Sequence, residues 1–255
     1  MLSGFNPAKF DRFYELVDHS VAIGRPVLLF GKNGSGKTML LDGLRPEWRT
    51  NTKFAEEDIR LFVPPVGENG IGTLGYLYKM IKGERYPSNR PSDIADAVEE
   101  VLVESKIKLL LVDNGQDVNK QFFRLLWRSL ENIRRTHPPI GCIVATRTKD
   151  DLFNDEGSER IPSPWFGSFC IEPSDQGEIL AMFKEWIPVQ GKEFLERAKM
   201  NESDALAALD LIHSKTLGLI RGLADLAYLW KTKYPSEPLT LERAQEFLRL
   251  KGLIR

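Results

Sequence analysis

"RPVLLFGKNGSGKTMLLDGL", residues 25–44, decides how the chain must fold. Arg25–Phe30 is a short β-rich run, and it ends in glycine. Gly31–Thr38 matches G-x-x-x-x-G-K-[ST] at every fixed position, and "TMLLDGL" behind it reads as a helix. Strand, glycine-rich turn and helix form the context this motif needs. The glycines let the backbone curl until several N–H groups face one phosphate, and the helix start adds its positive end. Gly31, Asn33, Gly34, Ser35, Gly36, Lys37, Thr38 and Met39 are therefore the candidate nucleotide-binding residues. Lys37 offers a point charge to the β- and γ-phosphates, and the Thr38 hydroxyl offers a ligand to Mg²⁺. ATP and Mg²⁺ are the expected cofactors.

Outward from this loop the pattern repeats. Phe10, Phe13, Leu16, Val17 and Val21 recur at helical spacing, with Pro7 near the start. "IRLFVPPV" reads as a buried strand stopped by prolines. "GTLGYLYKMIKG" and "SDIADAVEEVLVES" read as helices, the second with Ser92 as its expected N-cap. "KLLLVD" is a third strand, whose lack of alternation fits a strand covered on both faces. "QFFRLLWRSLENIRRTH" is a helix with Phe122, Phe123 and Trp127 on its core side, and "IGCIVATR" is a fourth strand. Strands alternating with helices predict an α/β fold with a parallel sheet sandwiched by helices. After residue 150 the sequence turns polar, "SFCIEP" adds one more strand, and only helices are read from Ser174 onward, at 174–186, 191–199, 203–215, 217–232 and 240–250. Thr240 is the expected N-cap of the last. The boundaries read are a nucleotide-binding domain at 1–173 and a helical lid at 174–255.

Composition narrows the class. In 255 residues, 42% hydrophobic and 28% charged, a sizeable core can be buried. "MLSGFNPAKF" holds no long apolar run, so no signal peptide is expected. No stretch approaches the roughly 20 apolar residues of a membrane span. Cys142 and Cys170 lie far apart without a His cluster and read as two buried reduced thiols, and a cytoplasmic protein is expected. His19, His137 and His213 are isolated, without metal-ligand spacing. The net charge of −1 does not announce nucleic acid, but a local basic patch is compatible with it.

"LLLVDNGQD", residues 109–117, raises the chemical question. Asp113 ends a strand where a second carboxylate must sit to hold Mg²⁺. In many ATPases of this layout the next residue is a glutamate that polarises the attacking water. Asn114 cannot accept that proton, although it can hydrogen-bond a water. Three readings stay open: ATP is a structural ligand hydrolysed slowly or not at all; Asp117 or Glu159 replaces the missing base; or the asparagine is an engineered trap for the ATP state.

Other polar residues fall at telling places. Thr146, at the tip of the fourth strand, is either a sensor of the γ-phosphate or an ordinary strand-end threonine. Arg221, in "GLIR", is either a lid arginine reaching phosphates of its own subunit or a solvated helix arginine. Arg160, in a polar loop, suits a contact to a neighbouring subunit's nucleotide, and Arg147 competes for that role. "YLYKMIKGERYP" sets Lys79, Lys82 and Arg85 beside Tyr76, Tyr78 and Tyr86. It is either a sequence-neutral DNA surface or an amphipathic helix with a solvated basic face. Arg134 and Arg135 are weaker DNA candidates on a helix expected to pack on the sheet.

A phosphate loop, a "VD" strand, a strand-tip threonine, a polar loop with "ER" and a helical region with G-x-x-R follow the order of an AAA+ ATPase. The chain resembles the TniB/TnsC group of transposition regulators, with MuB-like and ExeA-like ATPases as relatives, over about residues 8–250. "LLLVDNGQDV" is similar to that group's "LLIIDEAQ", with Asn114 in place of its glutamate and Gln116 kept. "IGCIVATRT" resembles its sensor strand, "SERIPSPWFGSFCIEPSD" its "ERF" loop and "HSKTLGLIRGLADLAYLWKTKYPSEPLTLERAQEF" its lid. The resemblance implies an AAA+ fold and Mg-ATP held by Lys37, Thr38 and Asp113. It also implies Thr146 and Arg221 as sensors and Arg160 as an arginine finger. It implies partners too: duplex DNA, further copies of the chain in a ring or filament, a target-selection protein and a transposase. Asn114 departs from the pattern at the step of hydrolysis. Two other classes share the nucleotide motifs. A STAND-type switch is expected to carry effector or repeat domains, and a loader is expected to turn over on protein partners.

Overall fold

Apolar runs that do not alternate become parallel strands with both faces covered. The computed structural model describes residues 8–44, 54–86, 90–148, 167–175, 178, 202–219, 221–222, 225, 228, 232 and 240–254. Helix α1 (Ala8–Ile23) leads into β1 (Pro26–Phe30), and α2 (Lys37–Asp42) follows the phosphate loop. Then come β2 (Ile59–Phe62), α3 (Gly70–Lys82), α4 (Pro91–Glu104), β3 (Leu109–Val112), α5 (Lys120–Thr136), β4 (Gly141–Thr146) and β5 (Gly167–Cys170). Later in the chain come helices α6 (Glu202–Thr216) and α7 (Leu241–Leu250). The five strands lie in the order β2-β3-β4-β1-β5, and every pair is parallel. The strand expected in "SFCIEP" is β5, at one edge and paired with β1.

The chain divides into two compact units. One comprises Phe10–Gly31 and Lys37–Ile171, and the other Glu172–Arg255 with Met1–Lys9 and Lys32–Gly36. In the first, alternate residues of each strand serve opposite faces. Leu28, Phe62, Leu110, Val112, Cys142 and Val144 join one core with Leu74 and Leu77 of α3, Val98 and Leu102 of α4, and Phe122, Phe123 and Leu126 of α5. Trp127 stacks on Phe123 at 5.5 Å, in the core position its spacing predicts. On the other face the Phe13 ring of α1 lies 5.5 Å from Phe169 of β5. The Ser20 hydroxyl donates to the Arg25 carbonyl at 2.6 Å and accepts the Cys142 N–H at 3.0 Å, which pins α1 against the middle of the sheet. In the second unit, α6 and α7 bury Ala208, Ile212, Ala244, Phe247 and Leu248. Thr240 caps α7 as expected, accepting the Arg243 N–H at 3.1 Å.

Two sequence expectations need correction. The cap position of α4 is Arg90 and not Ser92, because Pro91 occupies the first helical position, where its fixed φ and missing N–H cost nothing. Only Cys142 is a buried thiol, and burial pushes its pKa up; Cys170 is exposed at the end of an edge strand. The expected helices at 174–186 and 191–199 fall almost wholly outside the described residues. Among the described residues, no helix is long and apolar enough to cross a membrane.

The entry to β2 is an ion pair that responds to pH. Asp58 accepts the Ala55 N–H and the Lys108 ammonium, both at 2.9 Å, while the Lys108 N–H donates to the Asp58 carbonyl at 2.8 Å. Burial alone would raise the Asp58 pKa, but the Ala55 N–H and Lys108 outweigh it and hold the carboxyl below its ordinary value. A carboxyl depressed on folding stabilises the fold above its unfolded pKa of about 4 and loses that contribution as pH falls through the lower folded value. Thermal melts are expected to show Asp58→Asn less stable at pH 7 and with a shallower loss of Tm below about pH 4 than the parent chain. Parallel curves for the two proteins would remove Asp58 from the account of acid stability.

Candidate nucleotide site

The phosphate loop begins where β1 ends. Gly31 is buried, Ser35 N–H closes a turn onto the Lys32 carbonyl at 3.1 Å, and Gly34 and Gly36 are left-handed at φ 82° and 97°. Such φ values are open to glycine and costly to residues with a Cβ. Lys37 turns its ammonium back onto the Gly31 carbonyl at 2.6 Å. Asn33, Thr38 and Met39 are exposed. The Ser35 hydroxyl is buried and makes no hydrogen bond. A buried hydroxyl without a partner loses about 1–3 kcal/mol, a deficit that a ligand oxygen would remove.

Asp113, just after β3, meets Thr38 at the start of α2. It is buried, and both carboxylate oxygens are engaged: Oδ2 accepts the Thr38 hydroxyl at 2.7 Å and Oδ1 accepts the Asn114 N–H at 2.8 Å. Its own N–H donates to the Phe62 carbonyl at 3.0 Å, continuing the ladder between β2 and β3. A carboxylate beside a hydroxyl is a hard-oxygen pair of the kind Mg²⁺ prefers. With Lys37 and the unsatisfied Ser35 hydroxyl close in sequence to Thr38, the residues present fit a magnesium nucleotide.

Asn114 is exposed and left-handed, at φ 53° and ψ 40°, and it opens a tight 3₁₀ turn over Gly115–Asp117. Asparagine is one of the few side-chain-bearing residues that tolerate this conformation. The turn carries a small polar network. The Gln116 amide donates to Asp117 Oδ2 at 3.0 Å, and Arg147 reaches Asp117 Oδ1 at 3.4 Å. The Gln116 side-chain amide oxygen, Oε1, is buried without a partner among the described residues. Asp117, a candidate substitute base, is therefore held between an amide and a guanidinium. Arg147, a candidate finger, is engaged within its own chain. Thr146 is buried and donates its hydroxyl to the Thr148 carbonyl at 2.8 Å, so that proton is committed to the local turn.

Within the C-terminal unit, Arg221 meets the loop through its backbone. Its N–H donates to the Gly34 carbonyl at 3.0 Å, and a Cβ on Gly34 would lie 3.3 Å from that of Arg221. The Arg221 side chain is exposed. The turn before it is tight. Gly218, at φ 65°, accepts the Ser174 N–H at 2.9 Å, and a Cβ there would fall 2.3 Å from the Ser174 carbonyl oxygen. Glu159, Arg160, Trp165 and Phe166 lie outside the described residues. The basic residues have different settings. Lys79 and Arg85 are exposed, whereas Lys82 is bound to Glu104 at 2.9 Å, a hydrogen bond that raises its pKa. Arg134 and Arg135 both pair with Glu131, at 2.7 and 3.3 Å. Among the described residues, no group of His, Cys, Asp and Glu could hold a metal by itself.

Comparison with known proteins bears on the fold. The model of the AAA domain family matches residues 24–148. No curated protein matches the sequence. A single-residue variant of RuvB from Thermotoga maritima shares the fold at a TM-score of 0.58 and 15% identity, over 96% of this chain and 69% of that one. Cdc6p from Pyrobaculum aerophilum gives 0.58 and 17%, over 96% and 62%. A chain of Drosophila ORC, solved bound to DNA, gives 0.57 and 16%, over 96% and 66%. Residues 24–148 therefore match the AAA domain family, and the chain shares the P-loop AAA+ fold of these structures.

Proposed function

We propose that this chain is an ATP-dependent, DNA-binding regulator of DNA transposition. It assembles with further copies of itself on duplex DNA and links a target-selection protein to a transposase. The observation that carries the nucleotide part is the Thr38 hydroxyl set 2.7 Å from the Asp113 carboxylate beside a complete phosphate loop. Support for DNA comes from the fold shared with ORC, which was solved bound to DNA. Support for transposition comes from the resemblance in "LLLVDNGQDV" and in the lid sequence.

The chain's residues divide the work. Lys37 places its charge on the phosphates, and Thr38 and Asp113 hold the metal. Bound Mg-ATP supplies the phosphoanhydride and a cation that neutralises its charge. Thr146 and Arg221 sense the nucleotide, and Arg160 reaches the nucleotide of a neighbouring copy. Asn114 can orient a water but takes no proton from it, so hydrolysis is slow and ATP acts as a persistent clamp. A ring or filament then sums weak basic contacts from many copies, which makes DNA affinity possible for a chain of net charge −1.

Phosphate release from ATP, measured with and without duplex DNA, tests this reading. Slow turnover is expected in both conditions, with ATP bound and the complex on DNA dependent on it. Lys37→Ala is expected to weaken ATP binding about 10- to 100-fold and to abolish that complex. Turnover stimulated by protein partners and indifferent to DNA would replace the proposal with a loader. ATP binding with no effect on DNA would replace it with a switch.

Asn114→Glu probes the base directly. Restoring a carboxylate is expected to raise turnover by about 10²-fold, in the range of general-base catalysis. The same change should cost about 1 kcal/mol of stability, because glutamate is less at ease in a left-handed conformation. Unchanged turnover in a folded Asn114→Glu protein would mean that the missing base does not limit the rate. Asn114→Gly, which keeps the backbone and removes the amide, should leave ATP binding intact.

A further inference from the structure

Helix α3 has two flanks of opposite character. One borders a cavity of about 490 Å³ walled by α4, where Lys82 is bound to Glu104 at 2.9 Å and Asp93, Asp96 and Glu100 also line the wall. A phosphate entering there would meet carboxylates. The other flank borders a groove of about 530 Å³. Its floor is the bare backbone of α3 at Gly75, since the Glu68 carboxylate covers Gly72, where a Cβ would fall 2.6 Å from its Oε2; Tyr76, Lys79, Arg85 and Tyr86 stand around it. Glu68 bounds the end nearest the helix start. Neither Lys79 nor Arg85 forms an ion pair with a described residue, and Tyr76 is 38% exposed.

Gly75 is the telling residue. It lies in the interior of a 13-residue helix, where glycine is less stable than alanine because it loses more backbone freedom. Packing among the described residues gives no reason for it, since a Cβ there would meet none of their atoms within 4 Å. The contrast is Gly70 in the same helix, where a Cβ would strike the Gln121 side chain and the Phe122 backbone nitrogen, both at 2.6 Å. Among the described residues, nothing uses the space above Gly75. A bare helical backbone between cations and tyrosines suits a sugar-phosphate strand. Lysine and arginine neutralise the phosphates, tyrosine hydroxyls donate to them, and the missing side chain at Gly75 allows close approach.

We propose that this groove seats one sugar-phosphate strand of duplex DNA against α3, with Gly75 as its floor and Lys79 and Arg85 as its clamps. Lys82 is held away on the acidic flank. The inference rests on the duplex-DNA reading above and divides three lysines and arginines that the sequence groups together. Recognition here is blind to base sequence, because every contact is to the backbone.

The test uses the full chain with ATP and a fluorescent duplex, with anisotropy read over a series of salt concentrations. Gly75→Leu is expected to hold or raise Tm, through better helix propensity, while weakening DNA binding at least about tenfold. Lys79→Ala and Arg85→Ala are each expected to weaken binding and to reduce the salt slope by about one. Lys82→Ala should leave affinity and slope unchanged. Full DNA affinity in a folded Gly75→Leu protein overturns the groove while leaving DNA binding in place. A loss in Lys82→Ala equal to that in Lys79→Ala does the same. Should Gly75→Leu fold poorly, the contrast between Lys79, Arg85 and Lys82 decides the matter alone. A parent chain that binds no duplex overturns this inference together with the DNA reading on which it rests.

Discussion

One hydrogen bond joins the two halves of the phosphate chemistry: the Thr38 hydroxyl to the Asp113 carboxylate, 2.7 Å long and 75 residues apart in sequence. It exists only because the sheet is parallel. With β4 between β1 and β3 and all three running the same way, the end of β1 and the residue just after β3 emerge at the same edge. An antiparallel β3 would send Asp113 to the opposite end. The apolar runs that build the strands therefore also position the charge. The cores on both faces hold that register, because a one-residue slip would turn Leu110 and Val112 out of their cluster and rotate Asp113 away.

The asparagine after Asp113 has two explanations that operate at different levels. Chemically it removes a proton acceptor from the place where one is expected. Conformationally it fits, since the chain turns left-handed there and folds at once into a 3₁₀ turn. The backbone and the chemistry thus favour different residues at one position. A glutamate would supply the base and strain the turn, whereas asparagine relaxes the turn and gives up the base. This opposition links the local geometry to the proposed role of ATP as a clamp.

Most of the sheet could be read from the sequence because its signals are strong and local. Unbroken apolar runs specified β1, β3 and β4, and the loop motif specified what lies between β1 and α2. Helical spacing placed Phe122, Phe123 and Trp127 in the core. The departures have physical causes. Pro91 overrode Ser92 as a boundary signal. Cys170 looked like an ordinary core thiol because sequence does not show that its strand lies at an edge. The left-handed Asn114 had a cue in the Asn-Gly pair, a turn signal that the strong aspartate signal beside it masked. The partners of Lys82 and Arg147 lie 22 and 30 residues away, beyond the reach of any local pattern.

The contrast between the two cysteines has a practical side. Cys142 is sealed in the middle of the sheet, and burial keeps its thiol protonated and inert. Cys170 is exposed, and in the register of β5 it stands opposite Phe30, the residue just before the phosphate loop. Since the sequence has no third cysteine, a thiol-reactive dye should attach at one position without any engineering of the chain. That position lies one strand away from where the loop begins. The protein thus comes with its own attachment point for an optical reporter, close enough to the loop to register changes in it and outside the residues assigned to nucleotide or DNA.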